Sequence, residues 1–199
     1  MKKNKFFRFF IFVFLLLSIK NHVLCQSVND SSNIRKTITS FLEWHYKVRR
    51  NGLDTAIVKG TEGDSLHPYR IDFKESKKYL QFLQSSNFLS DKFINSLYQY
   101  LVRCDSNFVK HRQYEWVPFG FDVDIITRDF DDEIIIENVK NCRITKLKRN
   151  KNTAFVEVEF ITHYKYQFEL TNYNGKWLID KINEGYPKEI YHILPFPSS

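Results

Sequence analysis

The stretch "YKYQFELTNYNGKWLIDKI", residues 164–182, decides the fold class. Tyr164, Tyr166, Phe168 and Leu170 alternate with Lys165, Gln167 and Glu169, the period of a half-buried β-strand. Asn174-Gly175 follows, the dipeptide best suited to a type I′ turn because both positions need positive φ. "KWLIDKI" then returns as the second arm of a hairpin. Two further runs precede it, "NCRITKLKR" and "TAFVEVEFI", joined by the tight connection "NKN". In the second of these, Val156, Val158 and Phe160 point one way and Phe155, Glu157 and Glu159 the other. The last third is therefore expected to be an antiparallel β-meander with one face buried.

Upstream the period changes to that of a helix. Ile34, Ile38, Phe41, Leu42, His45 and Val48 form one apolar stripe, with Trp44 and Tyr46 beside it. Asp30, Ser31 or Ser32 is the expected cap, and Arg49-Arg50-Asn51-Gly52 the stop signal. A second helix is expected over about 73–83 with Tyr79, Leu80 and Leu83 inward. A third, capped by Ser90, carries Phe93, Leu97, Tyr100 and Leu101 and ends near 104–107. "TAIVKGTEGDSLHPY" reads as a loop or irregular hairpin, and Phe121 to Ile126 as a short strand. Helices first and strands last, without βαβ alternation, predict an α+β fold with N-terminal helices packed on a curved C-terminal antiparallel sheet.

The 199-residue chain carries a formal charge of +7. Five of its cations, Lys2, Lys3, Lys5, Arg8 and Lys20, lie in the first 25 residues, which hold no acid. Without them 25 basic residues stand against 23 acidic ones, a net +2. The remaining signs interleave along the chain, so no nucleic-acid partner is expected. The leader has a cationic start, an apolar run over about 9–19 and a polar stretch, the order of a secretory signal. The run is short of the roughly 20 residues a membrane span needs. Cleavage is expected after Cys25, leaving no membrane span and a periplasmic or secreted protein. Lipidation at Cys25, disfavoured by Leu24 before it, and an uncleaved anchor are the alternatives. The expected organisation is a signal peptide over 1–25, a tail over 26–32, one domain over 33–186 and a second tail over 187–199.

Cys104 and Cys142 are then the remaining cysteines. In an oxidising compartment they are a disulfide candidate, with two buried thiols as the alternative. No metal-ligand spacing, nucleophile motif or phosphate loop is present, so no metal, cofactor or catalytic residue is assigned. Asp122 and Asp124, two apart on the expected strand, would share a face, where they could hold a proton or a cation. The plainer reading has both face solvent or a helix N-terminus while Phe121, Val123 and Ile125 face the core. Asp129 to Glu133 reads as a solvated loop, and His163 as an ordinary core or surface histidine. Trp44, His45, Asp122, Asp124, Tyr164 and Tyr166 are the candidate lining of a ligand pocket, with core packing the alternative for the aromatics.

The order of segments carries a resemblance. The secretory leader is followed by "ITSFLEWHYK", by "YRIDFKESKKYLQFLQSSNFLSDKFINSLYQYL", by "PFGFDVDII" and by a meander closing on "NGKWLIDKI". Together, over about 34–184, these resemble the bacterial secreted family catalogued as domain of unknown function 3828. The resemblance implies a nuclear-transport-factor-2-like, cystatin-like fold: a bent sheet wrapped on helices into a cone. It implies no agreed activity. The functional expectation is a non-catalytic binding module for a small ligand, a peptide or a protein partner, which includes a homodimer. The alternatives are a cone-fold isomerase or hydrolase using Asp122 or Asp124 with His45 or a tyrosine, and an immunity or assembly protein.

Overall fold

In a computed structural model, residues 30–48, 57–121, 124–127, 139–160 and 165–184 are described. The chain divides into two compact units, Met1–Thr37 and Ile38–Ser199. The expected leader, residues 26–29 of the first tail, the second tail, Asp122, Asp129 to Glu133, His163 and Tyr164 lie outside the described residues. In the first unit, residues 30–37 are helical. They form the start of α1 (30–48). Asp30, Ser31 and Ser32 are all inside this helix, so none of them is its cap, contrary to the sequence expectation.

The second unit is α+β. After the rest of α1 come β1 (Val58–Lys59), β2 (Arg70–Ile71), α2 (Phe73–Ser85), α3 (Asp91–Lys110), a short 3-10 turn (Val139–Asn141), and β3 (Arg143–Asn150), β4 (Thr153–Glu159), β5 (Lys165–Tyr173) and β6 (Lys176–Glu184). β1 and β2 make a two-residue antiparallel ladder. The other four strands form one antiparallel sheet in the order β3-β4-β5-β6. Alternation sets its register. Val156 opposes Phe168 and Val158 opposes Tyr166, and all four are buried. A one-residue slip would turn these side chains to solvent and bring Glu157, Glu159 and Gln167 inward, so the register is strongly specified. Asn174 and Gly175 both take positive φ, 53° and 90°, closing the β5–β6 hairpin as the sequence predicts.

The starts of α2 and α3 have local causes. The Asp72 carboxylate accepts from the Lys74 and Glu75 amides at the head of α2, and Ser90 Oγ accepts from the Phe93 amide at the head of α3. α3 runs past the expected end to Lys110 because its buried row continues: Phe93, Leu97, Leu101, Cys104 and Phe108. α3 packs against α2, β2 and β6. The linker between α2 and α3 pairs with β6, the Ile179 amide donating to Phe88 O and the Ser90 amide to Ile179 O. One edge of the sheet is thus covered by the chain itself, which removes an exposed pairing surface. β3 is the other edge.

Asp105, on α3, ties that helix to β2. Its Oδ1 accepts from Arg70 Nε at 2.8 Å and its Oδ2 from Arg70 Nη2 at 2.9 Å, while the Ile71 amide adds a third bond to Oδ1 at 3.1 Å. The Arg70 guanidinium, ahead of the Ile71 amide, holds the Asp105 carboxyl below the usual carboxylate range. A folded pKa below the unfolded one gives stability that is complete above the unfolded value, near 3.9, and is lost as pH falls through the folded value. Asp105→Asn is therefore expected to lower the urea midpoint at pH 6 by the equivalent of about 1 kcal/mol, since Arg70 is half exposed. The difference from the unaltered protein should shrink as pH falls from about 4 through the folded value. A difference constant over that range would show that the charge contributes nothing.

Candidate functional site

Two groupings of side chains stand out, one buried and one exposed. The buried one joins residues that are 79 positions apart: His45 Nε2 donates to Asp124 Oδ2 at 3.0 Å. His45 comes from the apolar stripe of α1. Both residues are 2% exposed. The sequence reading kept Asp124 as a pocket-lining candidate on a short strand, with solvent or a helix N-terminus as the plainer alternative; it is instead buried and lies in a turn. Residues 124–127 make a turn, and Asp124 is its organiser. Its Oδ1 accepts from the Ile126 amide at 2.8 Å, from the Thr127 amide and from Thr127 Oγ1 at 2.9 Å. A short acidic side chain offers the backbone these local bonds in place of a strand ladder. The carboxylate is thus used on both oxygens, one for its own turn and one for α1.

Trp44 lies next to this pair in an aromatic cluster. Its ring stacks on Phe82 at 5.5 Å and meets Phe88 at 6.1 Å and Phe41 at 6.2 Å. Phe41 in turn stacks on the His45 ring at 5.7 Å. The cluster draws α1, α2 and the α2–α3 linker together. Tyr166 belongs elsewhere, in the sheet core between Phe160 at 5.5 Å and Phe168 at 6.2 Å. Of the six candidate lining residues, His45 and Asp124 are in contact and Trp44 is one ring away. Cys104 and Cys142 are both buried. Among the described residues no group of three His, Cys, Asp or Glu side chains is placed to hold a metal ion, and no helix is long and apolar enough to cross a membrane.

The exposed grouping is the loop after α3, which sequence reasoning passed over. Trp116, Val117 and Phe119 are 80%, 57% and 54% exposed. Hydrophobic side chains scattered singly on a surface are ordinary, but three within four positions are not. The loop is also firmly built. The Gln113 side chain donates to Glu115 O and Val117 O and accepts from the Phe119 amide at 2.8 Å. The Tyr69 hydroxyl donates to Trp116 O at 2.9 Å, and the Tyr100 hydroxyl to Gly120 O at 2.7 Å. Burial is the main cause that pushes the Tyr69 phenol up, with Glu62 second, which keeps it a donor. Backbone bonds from the Gly63 and Tyr69 amides to Tyr114 O and Gln113 O fasten the loop to the one between β1 and β2.

Trp116 itself sits at φ 61°. That conformation is strained for a bulky side chain, by about 1–2 kcal/mol, and persists only where neighbours impose it. At this position the indole faces solvent. The signal in the sequence was "YEWVPFGF", an aromatic-rich run in the least periodic part of the chain, where core packing had no period to explain it. Compared with family models, curated proteins and solved structures, the chain matches none.

Proposed function

We propose that this is a secreted or periplasmic, non-catalytic binding module whose contact surface is the loop of Trp116, Val117 and Phe119. One observation carries the reading: an ordered, strained loop spends folding energy to hold an indole in water. A preformed aromatic contact loses little entropy on binding, and aromatic anchors dominate binding energy where they find a pocket. The leader-like first 25 residues and the resemblance to domain of unknown function 3828, with its cone fold, support the same assignment. The partner class is a peptide or protein offering an apolar recess.

The test compares native mass spectra of the protein recovered from its own cells with those of a Trp116→Ala/Phe119→Ala variant. A species retained by the unaltered protein and lost from the variant, at an unchanged melting temperature, is the expected result. Retention by both, or by neither, would sink the reading.

A second reading is favoured by the His45–Asp124 contact. A carboxylate that orients an imidazole is half of a general-base device. On this reading Asp124, with His45 as its partner, serves an isomerase or hydrolase reaction. Both groups are nearly inaccessible to solvent, and Asp124 spends one oxygen on its own turn, so the structural role is the better account of the geometry.

A further inference from the structure

The +2 charge outside the leader is unevenly spread. Between residues 140 and 151 stand Lys140, Arg143, Lys146, Lys148, Arg149 and Lys151, with no acid among them. All six are exposed. The fold lays them along β3 and its two ends, so a segment that looked like ordinary sign-mixing becomes a cationic sheet edge. β3 is the terminal strand of the sheet, and among the described residues no strand pairs with its outer side. The cations fall on both faces. Lys146 opposes Glu157 and Lys148 opposes Phe155 on the outer face, whereas Arg149 opposes the buried Ala154 on the other. Arg143 is engaged by Glu159 at 2.6 Å.

We propose that β3 is a docking edge for an extended acidic peptide, which adds to the sheet as a fifth strand. Lysines on an edge strand discourage pairing with ordinary strands. The same charges favour a strand whose own side chains are acidic, because opposite charges across a ladder attract and like charges repel. An in-plane strand projects side chains alternately to both faces, so it meets Lys146 and Lys148 on one and Arg149 on the other. A polyanion lying on the sheet would meet only one set. On the outer face the Lys146 ammonium stands 5.6 Å over the ring of Phe155 on the neighbouring strand β4. This surface is independent of the aromatic loop and stands or falls by a separate measurement.

The experiment uses the full chain and a blocked peptide of about ten residues in which pairs of Glu alternate with pairs of Thr, so that both faces of the added strand carry acids. Binding is followed by calorimetry and by amide exchange of Arg143 to Asn150. The expected result is saturable binding that weakens with salt, with slowed exchange along β3. A Lys146→Gln/Lys148→Gln variant should bind on the order of fivefold more weakly. The same peptide with two central prolines should not bind, because proline cannot complete a ladder. No binding at millimolar peptide overturns the proposal. So does equal binding by the proline peptide or by heparin without slowed exchange, which would mark a general polyanion surface.

Discussion

Replacing Asp124 with alanine is expected to lower the unfolding free energy by about 3–5 kcal/mol, a large share of a typical domain's total. The substitution removes the acceptor for four buried donors at once: the Ile126 and Thr127 amides, Thr127 Oγ1 and His45 Nε2. Each buried donor left without an acceptor costs about 1–3 kcal/mol, reduced where a local shift admits water. Asp124→Asn keeps one carbonyl oxygen for the turn and is expected to cost about 1–2 kcal/mol, because its amide meets the Nε2 proton of His45 unless the imidazole changes tautomer. Urea denaturation of the two variants measures both. The pair also separates the two functional readings. If Asp124 is structural, partner binding by Asp124→Asn tracks its modest loss of stability. If Asp124 is catalytic, a panel of isomerase and hydrolase substrates would show turnover by the unaltered protein that Asp124→Asn lacks at full folding. An Asp124→Ala protein as stable as the original would refute the account of the buried contact.

Gly60→Ala is expected to cost about 2–4 kcal/mol and to disturb the aromatic loop. Gly60 has φ 126°, a conformation an L side chain rarely adopts. A methyl group there would also stand 2.9 Å from both Pro68 O and Tyr69 Cα. Those are backbone atoms, so they cannot swing aside as a flexible side chain would. The nearest relief is to push Tyr69 outward. Tyr69 holds the loop twice, by its amide to Gln113 O and by its hydroxyl to Trp116 O. The prediction is therefore double: a lower melting temperature, and faster exchange of the Gly63, Tyr69 and Phe119 amides that fasten the loop. Gly63→Ala is the control, since that residue also has positive φ, 77°, but open space around it. If the two variants lose equal stability, close packing at Gly60 contributes nothing beyond the strained φ.

The meander was legible because its side chains obey a strict period of two and its last turn is written as Asn174-Gly175. α2 and α3 were legible from their stripes and from Ser90. What failed did so for local reasons. The segment around Asp124 alternates like a strand, yet the carboxylate captures two backbone amides and a hydroxyl, and a turn results. α3 outran its predicted end because Phe108 is buried, which is a tertiary reward. The exposure of Trp116 and Phe119 was hidden because composition alone assigns aromatics to a core.

By itself, the sequence determined the α+β class, the alternating faces of the strands and the helix stripes, because periodicity and turn chemistry act over a few residues. Only the tertiary structure decided which residues form a site. His45 and Asp124 meet across 79 positions, and Trp116 faces solvent on a loop held by Gln113 and Tyr69. The cationic edge likewise exists only because β3 ends the sheet. Contacts of that range depend on how whole elements pack, and no local pattern in the chain encodes them.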